Sequence, residues 1–306
     1  MGKRERALDW LVGLLPVVLM AVIGYRWGVP ARLLTAMAGY LALTVLRHKA
    51  LPTGFFPHAL LTAVLVLLIL PAAVPVWVAA LGGILMAAAE GIPARIGRVT
   101  LPYWHPLAVT YVLLRLVFPT AMTAGFVLPA QWVGMDGISS ATPLLALQGG
   151  ETLHDTWQLF FGVRAGAMGE LCVAAVLLGA GYLLLRRRLR LIAPACMLAT
   201  VSLFSWIGWH SPLYGLLAGA PVLTAVLLAD KEAMPPTLAD QITAGVTAGA
   251  VTVLLRGIGG WADGTAVGLL MAYVAVFCRP IVWRWIRRMP GMLHAGDFFV
   301  KKKNNG

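Results

Sequence analysis

Acidic residues are scarce in this chain: 12 Asp and Glu among 306 residues, beside 24 Lys and Arg. All four types together make up 12% of the sequence, about half the share of a soluble domain. So few charges cannot cover a soluble surface. Cysteine is scarcer still. Cys172, Cys196 and Cys278 each fall inside an apolar run, with no two near each other. That excludes a self-contained zinc or iron–sulfur centre, which needs clustered ligands. No Walker loop, no GxGxxG turn and no catalytic triad is present, so nucleotide chemistry belongs to other chains. Alternating strands of about ten residues, the mark of a membrane β-barrel, are missing too.

What the chain does have is apolar length. Hydrophobic residues make up 60% of it, and the mean hydropathy is +0.83. Runs such as 60–70 and 171–185 are almost unbroken. Only helices and closed barrels satisfy their backbone in lipid, so the expected class is an all-α, multi-pass integral membrane protein. Ten spans are predicted, at about 8–25, 33–46, 57–71, 74–89, 104–123, 168–185, 191–209, 212–229, 240–256 and 264–283. The N-terminal Lys3-Arg4-Glu5-Arg6 and the apolar stretch after it lack a small-residue cleavage site, which predicts an uncleaved first helix.

Positive charge tests that count. With the N-terminus inside, the inner segments hold eighteen Lys and Arg, from Lys3 through Arg186, Arg187, Arg188 and Arg190 to Lys303. The outer segments hold Arg26, Arg32, Arg164 and Arg256. This asymmetry predicts both termini in the cytoplasm of a cell inner-membrane protein. It also removes nucleic acid as a partner, because the net charge of +12 is spread over short loops. Ten spans divide into two five-helix halves, 1–123 and 168–289, around a segment at 124–167, with a basic tail at 290–306. An odd number of spans per half predicts an inverted repeat.

The 124–167 segment holds Asp136-Gly137-Ile138-Ser139-Ser140-Ala141-Thr142-Pro143. Small neighbours leave the Thr142 hydroxyl open to a modifying enzyme. Asp136 can hold a turn through the backbone, and Pro143 keeps Thr142 extended. Elsewhere Glu170, Glu90 and Arg115 stand out as charges in or near spans, where charge is costly and marks function. Asp263 suits the N-cap of the last helix.

The run from His105-Pro106-Leu107-Ala108 to Phe118-Pro119-Thr120-Ala121-Met122-Thr123 resembles a helix of the RnfD/RsxD family (the D subunits of ion-translocating electron transport complexes), which is related to NqrB. Gly134 to Leu144 is similar to that family's G-x-DGIS-x-ATPL flavin loop. Gly166-Ala167-Met168-Gly169-Glu170 resembles its GxxGE turn, and Leu255 to Gly264 its R-x-x-GGxxDG turn. The resemblance runs from about Trp104 to Ile281 in the family's order. Departures include His105 for the usual Asn, Leu171-Cys172 for Thr/Val-Ser, and Asp230-Lys231-Glu232 for Asp-Pro.

The resemblance implies a component of an Rnf-type complex that passes electrons between ferredoxin and NAD and couples this to Na+ or H+ movement. FMN would be esterified to Thr142 by a flavin transferase, with Asp136, Ser139, Ser140 and Ala141 around it. A second, noncovalent flavin is left open. Partners would include an FMN-bearing G subunit and the ferredoxin- and NAD-reactive subunits, and the chain would not be catalytic alone. Glu170, Glu90 and Arg115 become candidates for an ion path. The alternative is a flavin-free secondary transporter or channel on the same scaffold.

Overall fold

Prolines and glycines decide where the helices of this chain start and stop. The computed structural model describes residues 3–48, 55–92, 95–96, 99–100, 103–124, 156–162, 166–217, 220–258 and 264–287. The first half holds α1 (Lys3–Tyr25), α2 (Gly28–His48), α3 (Phe55–Ile69), α4 (Val76–Glu90), α5 (Pro106–Val117) and α6 (Pro119–Ala124). A hairpin of two-residue strands, Arg95–Ile96 and Val99–Thr100, follows α4. After α7 (Thr156–Phe161), the second half holds α8 (Val173–Leu185), α9 (Ile192–Trp209), α10 (Pro212–Leu217), α11 (Pro221–Leu228), α12 (Leu238–Ile258) and α13 (Thr265–Arg287).

The chain is a helical, multi-pass membrane protein. Arg4–Tyr25, Gly28–Arg47, Leu238–Gly257 and Thr265–Val282 are each long and apolar enough to cross a bilayer, and shorter apolar helices accompany them. Three expected spans differ in detail. The span expected at 104–123 is broken at Phe118 (φ −125°, ψ 59°), because Pro119 disfavours a helical residue before it. The span expected at 212–229 is split into α10 and α11, with Pro221 opening the second piece. The span expected from 168 becomes helical only at Val173.

The two halves share one packing order. In each, the second helix lies along the fourth (α2 on α4, α9 on α12), and the fourth packs on the fifth (α4 on α5, α12 on α13). The first helices meet each other, α1 against α8, and so do the fifth, α5 against α13. Glycine permits the close approach. A Cβ on Gly39 or Gly83 would lie 2.0 Å from the carbonyl oxygen of Ala80 or Ala36, and one on Gly245 would lie 2.2 Å from that of Ala193. Such small-residue contacts are how helices associate in lipid.

Both cross-half pairs run antiparallel. Asp9 of α1 meets Tyr182 and Arg186 beyond it on the α8 side, while Gly13 meets Gly179 and Leu183. His105 at the head of α5 stacks on Tyr273 of α13, while Tyr111 lies at a shared cavity with Thr265 and Leu269.

Loops sort to two ends. At one end Arg6 pairs with Asp230 and Glu232, Asp9 with Arg186 and Arg188, and Arg279 with Asp240. At the other, Arg32 donates to Val74 O, Trp77 packs on Phe118 at 5.2 Å, and Met168 N–H donates to Leu70 O at 3.1 Å.

Candidate functional site

Asp136, Ser139, Ser140, Ala141 and Thr142 lie outside the described residues, as does Asp263. The flanks of their segment are described. It leaves from α6, beside Phe118, and returns through α7 to Met168, so both flanks sit at the same end of the bundle. On α7, Trp157 and Phe161 are stacked (6.1 Å, 15°), and both stand exposed.

The return path then dives inward. Residues 166–173 are all buried. Met168 N–H donates to Leu70 O at 3.1 Å and Gly169 N–H to Leu68 O at 2.8 Å, so the segment runs along the last turn of α3 and occupies its free carbonyls. The glycines of Gly166-Ala167-Met168-Gly169-Glu170 have distinct tasks. A Cβ on Gly169 would meet Leu68 Cβ and O at 2.7 Å, and one on Gly166 would lie 3.3 Å from Glu170 Oε2. Gly169 lets the segment touch α3, and Gly166 leaves room for the carboxylate.

Glu170 is 9% exposed and lies at a cavity of about 30 Å³ between α3, α5, α11 and α13. Leu68, Leu223 and Leu227 line it, with the hydroxyl-bearing Tyr111, Thr224 and Thr265. It therefore lies between the third and fifth helices of both halves.

Glu90 and Arg115 are elsewhere. Glu90, the last residue of α4, accepts a hydrogen bond from Tyr40 Oη at 2.6 Å, lies 3.2 Å from His58 Nε2, and accepts a longer bond from Thr62 Oγ1 at 3.5 Å. Arg115, in the last turn of α5, donates to Pro119 O at 3.3 Å. The three charges singled out in the sequence thus occupy three places, and only Glu170 lines the cavity between the halves.

Sequence reasoning passed over the ion pairs at the Glu90 end. Asp9 is a buried acid of α1, and its carboxylate accepts from Arg186 Nε at 2.9 Å and Arg188 Nε at 2.6 Å. Its hydrogen bond holds the Arg186 guanidinium above the usual value. Arg190 N–H donates to Ala229 O and Lys231 N–H to Arg188 O, so residues 188–190 and 229–231 form one short paired strip. An acid near the start of the N-terminal apolar run was the available signal. Arg256, a loop cation by sequence, is another such case. It is fully buried at the end of α12 and donates to Gly215 O at 3.0 Å. Towards the Arg6–Asp230 end, Tyr103, His105 and Tyr273 form an aromatic trio, with Tyr103 and Tyr273 centroids 4.8 Å apart. No group of three or more His, Cys, Asp or Glu is placed to hold a metal among the described residues.

The chain is similar to known proteins over most of its length. A family model described as the NQR2, RnfD, RnfE family matches residues 3–289. The chain is 30% identical, over 70% of its length and 69% of the relative's, to the D subunit of a proton-translocating ferredoxin:NAD(+) oxidoreductase complex from Clostridium ljungdahlii. It is 27% identical to the D subunit of a Na(+)-translocating ferredoxin:NAD(+) oxidoreductase complex from Acetobacterium woodii, over 90% of this chain and 87% of that one. A third relative, the D subunit of an ion-translocating oxidoreductase complex from Salmonella arizonae, is 28% identical over 89% of this chain and 92% of its own.

Proposed function

The chain belongs to the NQR2, RnfD, RnfE family, and from that premise we propose that it is the D subunit of an Rnf-type complex, in which electron transfer between ferredoxin and NAD is coupled to ion movement. The observation that carries this reading is the coincidence of two things. The Gly134–Leu144 sequence resembles the family's flavin loop, and relatives along most of the chain are named as D subunits of such complexes.

In this reading FMN is carried on the Thr142 hydroxyl. The described flanks suit a tethered flavin, because the segment begins and ends at one end of the bundle and the exposed rings of Trp157 and Phe161 stand beside its return. Bound there, the flavin would supply the electron-transfer chemistry and the chain its position. Thr142 would anchor the group, and the small side chains of Ser139, Ser140 and Ala141 suit the approach of a flavin transferase.

The halves form an inverted repeat. Its support is that the equivalent first helices, α1 and α8, run antiparallel, as do the equivalent fifth helices, α5 and α13. The end that gathers Arg6, Arg186, Arg188 and Arg279 is the cytoplasmic one, by the excess of positive charge, and Thr142 then faces outward. An FMN-bearing G subunit and the ferredoxin- and NAD-reactive subunits are the partners this role requires.

Mass spectrometry of the 134–144 peptide and in-gel flavin fluorescence test the tether. Wild type carries FMN and Thr142→Ala does not. Covalent flavin persisting in Thr142→Ala would remove Thr142 as the anchor. The split α10–α11 and the antiparallel halves also suit a flavin-free secondary transporter. A colourless wild-type chain that moves solute by itself would favour that reading.

A further inference from the structure

The depth of Glu170 follows from helix lengths. Helix α8 has 13 residues, so it spans about 20 Å, against about 30 Å of hydrocarbon. Its far end is fixed by Arg186 and Arg188 on Asp9. The crossing must therefore be completed by residues 166–172, which are not helical. Non-helical backbone at that depth survives only where it is buried in protein or lines a cavity. Here it does both, sealed onto α3 by Met168 and Gly169 and opening at Glu170 onto the space between the halves.

We propose that this cavity is a proton-loading site, in which the Glu170 carboxylate takes up and releases one proton at the seam between the two halves. The inference rests on the function proposed above and names the ion at one station of its path. A cavity of about 30 Å³ has room for about two waters, enough to hand a proton to or from a carboxylate. Among the described residues, Glu170 is the only charged one lining it. From the packed elements, α5 contributes the Tyr111 hydroxyl, α11 contributes Thr224 and α13 contributes Thr265, whereas α3 contributes only Leu68 and Ile69. Along the same α5–α13 seam, His105 and Tyr273 stack about one turn beyond Ala108 and Leu269. A metal cation stripped of water needs a shell of oxygens to replace its hydration. Glu170 and the three hydroxyl-bearing side chains come from four separate segments, whereas a proton neutralises the buried carboxylate without gathering them into a shell. A proton needs the carboxylate alone.

Room for that carboxylate is built in by Gly166. The site also lies where a relative motion of the halves would be felt, because its walls come from α3 and α5 on one side and α11 and α13 on the other.

Dicyclohexylcarbodiimide, which attacks protonated carboxyls in apolar surroundings, tests the proposal on the assembled complex in inverted membrane vesicles. The expected result is an adduct on the Glu170 peptide that declines as pH is raised and is unchanged by added Na+. Glu170→Gln loses the adduct and loses proton accumulation in the vesicles, while Thr142 keeps its flavin. Glu170→Asp restores part of the accumulation. No adduct on wild type, protection of Glu170 by Na+, or full proton accumulation by Glu170→Gln each overturns the proposal. Flavin fluorescence on the same samples reads the function proposed above separately, since an absent flavin in wild type would refute that reading whatever the adduct shows.

Discussion

Adding one methyl group at Gly83 and one at Gly181 should change stability in opposite directions. At Gly83 a Cβ would stand 2.0 Å from Ala36 O and 2.8 Å from Tyr40 N, where ordinary contact begins at 3.4 Å. Both obstacles are α2 backbone, so no rotamer change relieves them, and α2 and α4 must part by roughly 1.4 Å. Overpacking costs about 1–3 kcal/mol, and a backbone obstacle belongs at the upper end. Alanine recovers about 1 kcal/mol of helix propensity relative to glycine, so Gly83→Ala should destabilise by about 2 kcal/mol. Gly181, inside α8, has nothing within 4 Å of its Cβ position. Gly181→Ala keeps the propensity gain alone and should stabilise by about 0.5–1 kcal/mol. The gap of nearly 3 kcal/mol corresponds to roughly 4–5 °C between the two variants of a chain this long. Thermal unfolding of the detergent-solubilised chain, followed by tryptophan fluorescence, measures it. A Gly39→Ala, Gly83→Ala double variant should cost less than the sum of its singles, because helices already parted admit the second methyl group. Shifts of the same sign at Gly83 and Gly181, or a strictly additive double variant, would refute the reasoning.

The buried Asp9 gives a second test. Asp9→Asn leaves Arg188, whose side chain is 12% exposed, without its anion and should destabilise by about 2–3 kcal/mol. Adding Arg188→Gln should restore part of that loss in the same unfolding assay, whereas Arg186→Gln alone should have the smallest effect of the three. Gly169→Ala pushes against Leu68 and should cost about 1–3 kcal/mol, with carbodiimide labelling of Glu170 altered as the segment lifts from α3. Tyr40→Phe removes the 2.6 Å hydrogen bond to Glu90 and should destabilise by about 1.5 kcal/mol, the lower range for a charged acceptor. Thr62→Val, which removes a 3.5 Å contact to the same group and the 2.9 Å hydrogen bond to His58 O within α3, should change stability by about 1 kcal/mol or less.

Much of this architecture was legible because lipid makes sequence blunt. Apolar runs mark helices, and Arg6, Arg186 and Arg188, which the sequence puts on one side, gather at one end of the bundle. Pro119 and Pro221 were visible, yet the spans around them read as continuous, because hydropathy carries no information on backbone geometry. The same limit hid the non-helical stretch before Val173: Ala167, Met168, Leu171 and Cys172 are as apolar as a helix interior. For the candidate site, the GxxGE pattern drew attention to Glu170 by resemblance, but the task of Gly169 depends on Leu68 of α3, about a hundred residues earlier. Asp9 was missed because its partners follow α8, and no local pattern links them.

The scarcity of acid now has a spatial meaning. Charge inside a membrane protein is costly and persists where it is paired or where it works. Among the described acids, Asp9, Asp230, Glu232 and Asp240 are held by arginines at one end of the bundle, and Glu90 by Tyr40 and His58. Three of those arginines, Arg6, Arg186 and Arg188, tie α1 of the first half to the second half. These cations therefore fasten the halves together at that end. Glu170 stands elsewhere, deep in the bundle, where the halves meet across a cavity. A seam clamped at one end and hollow further along concentrates any relative motion of the halves at the hollow part. That is the part that contains the one buried carboxylate lining it.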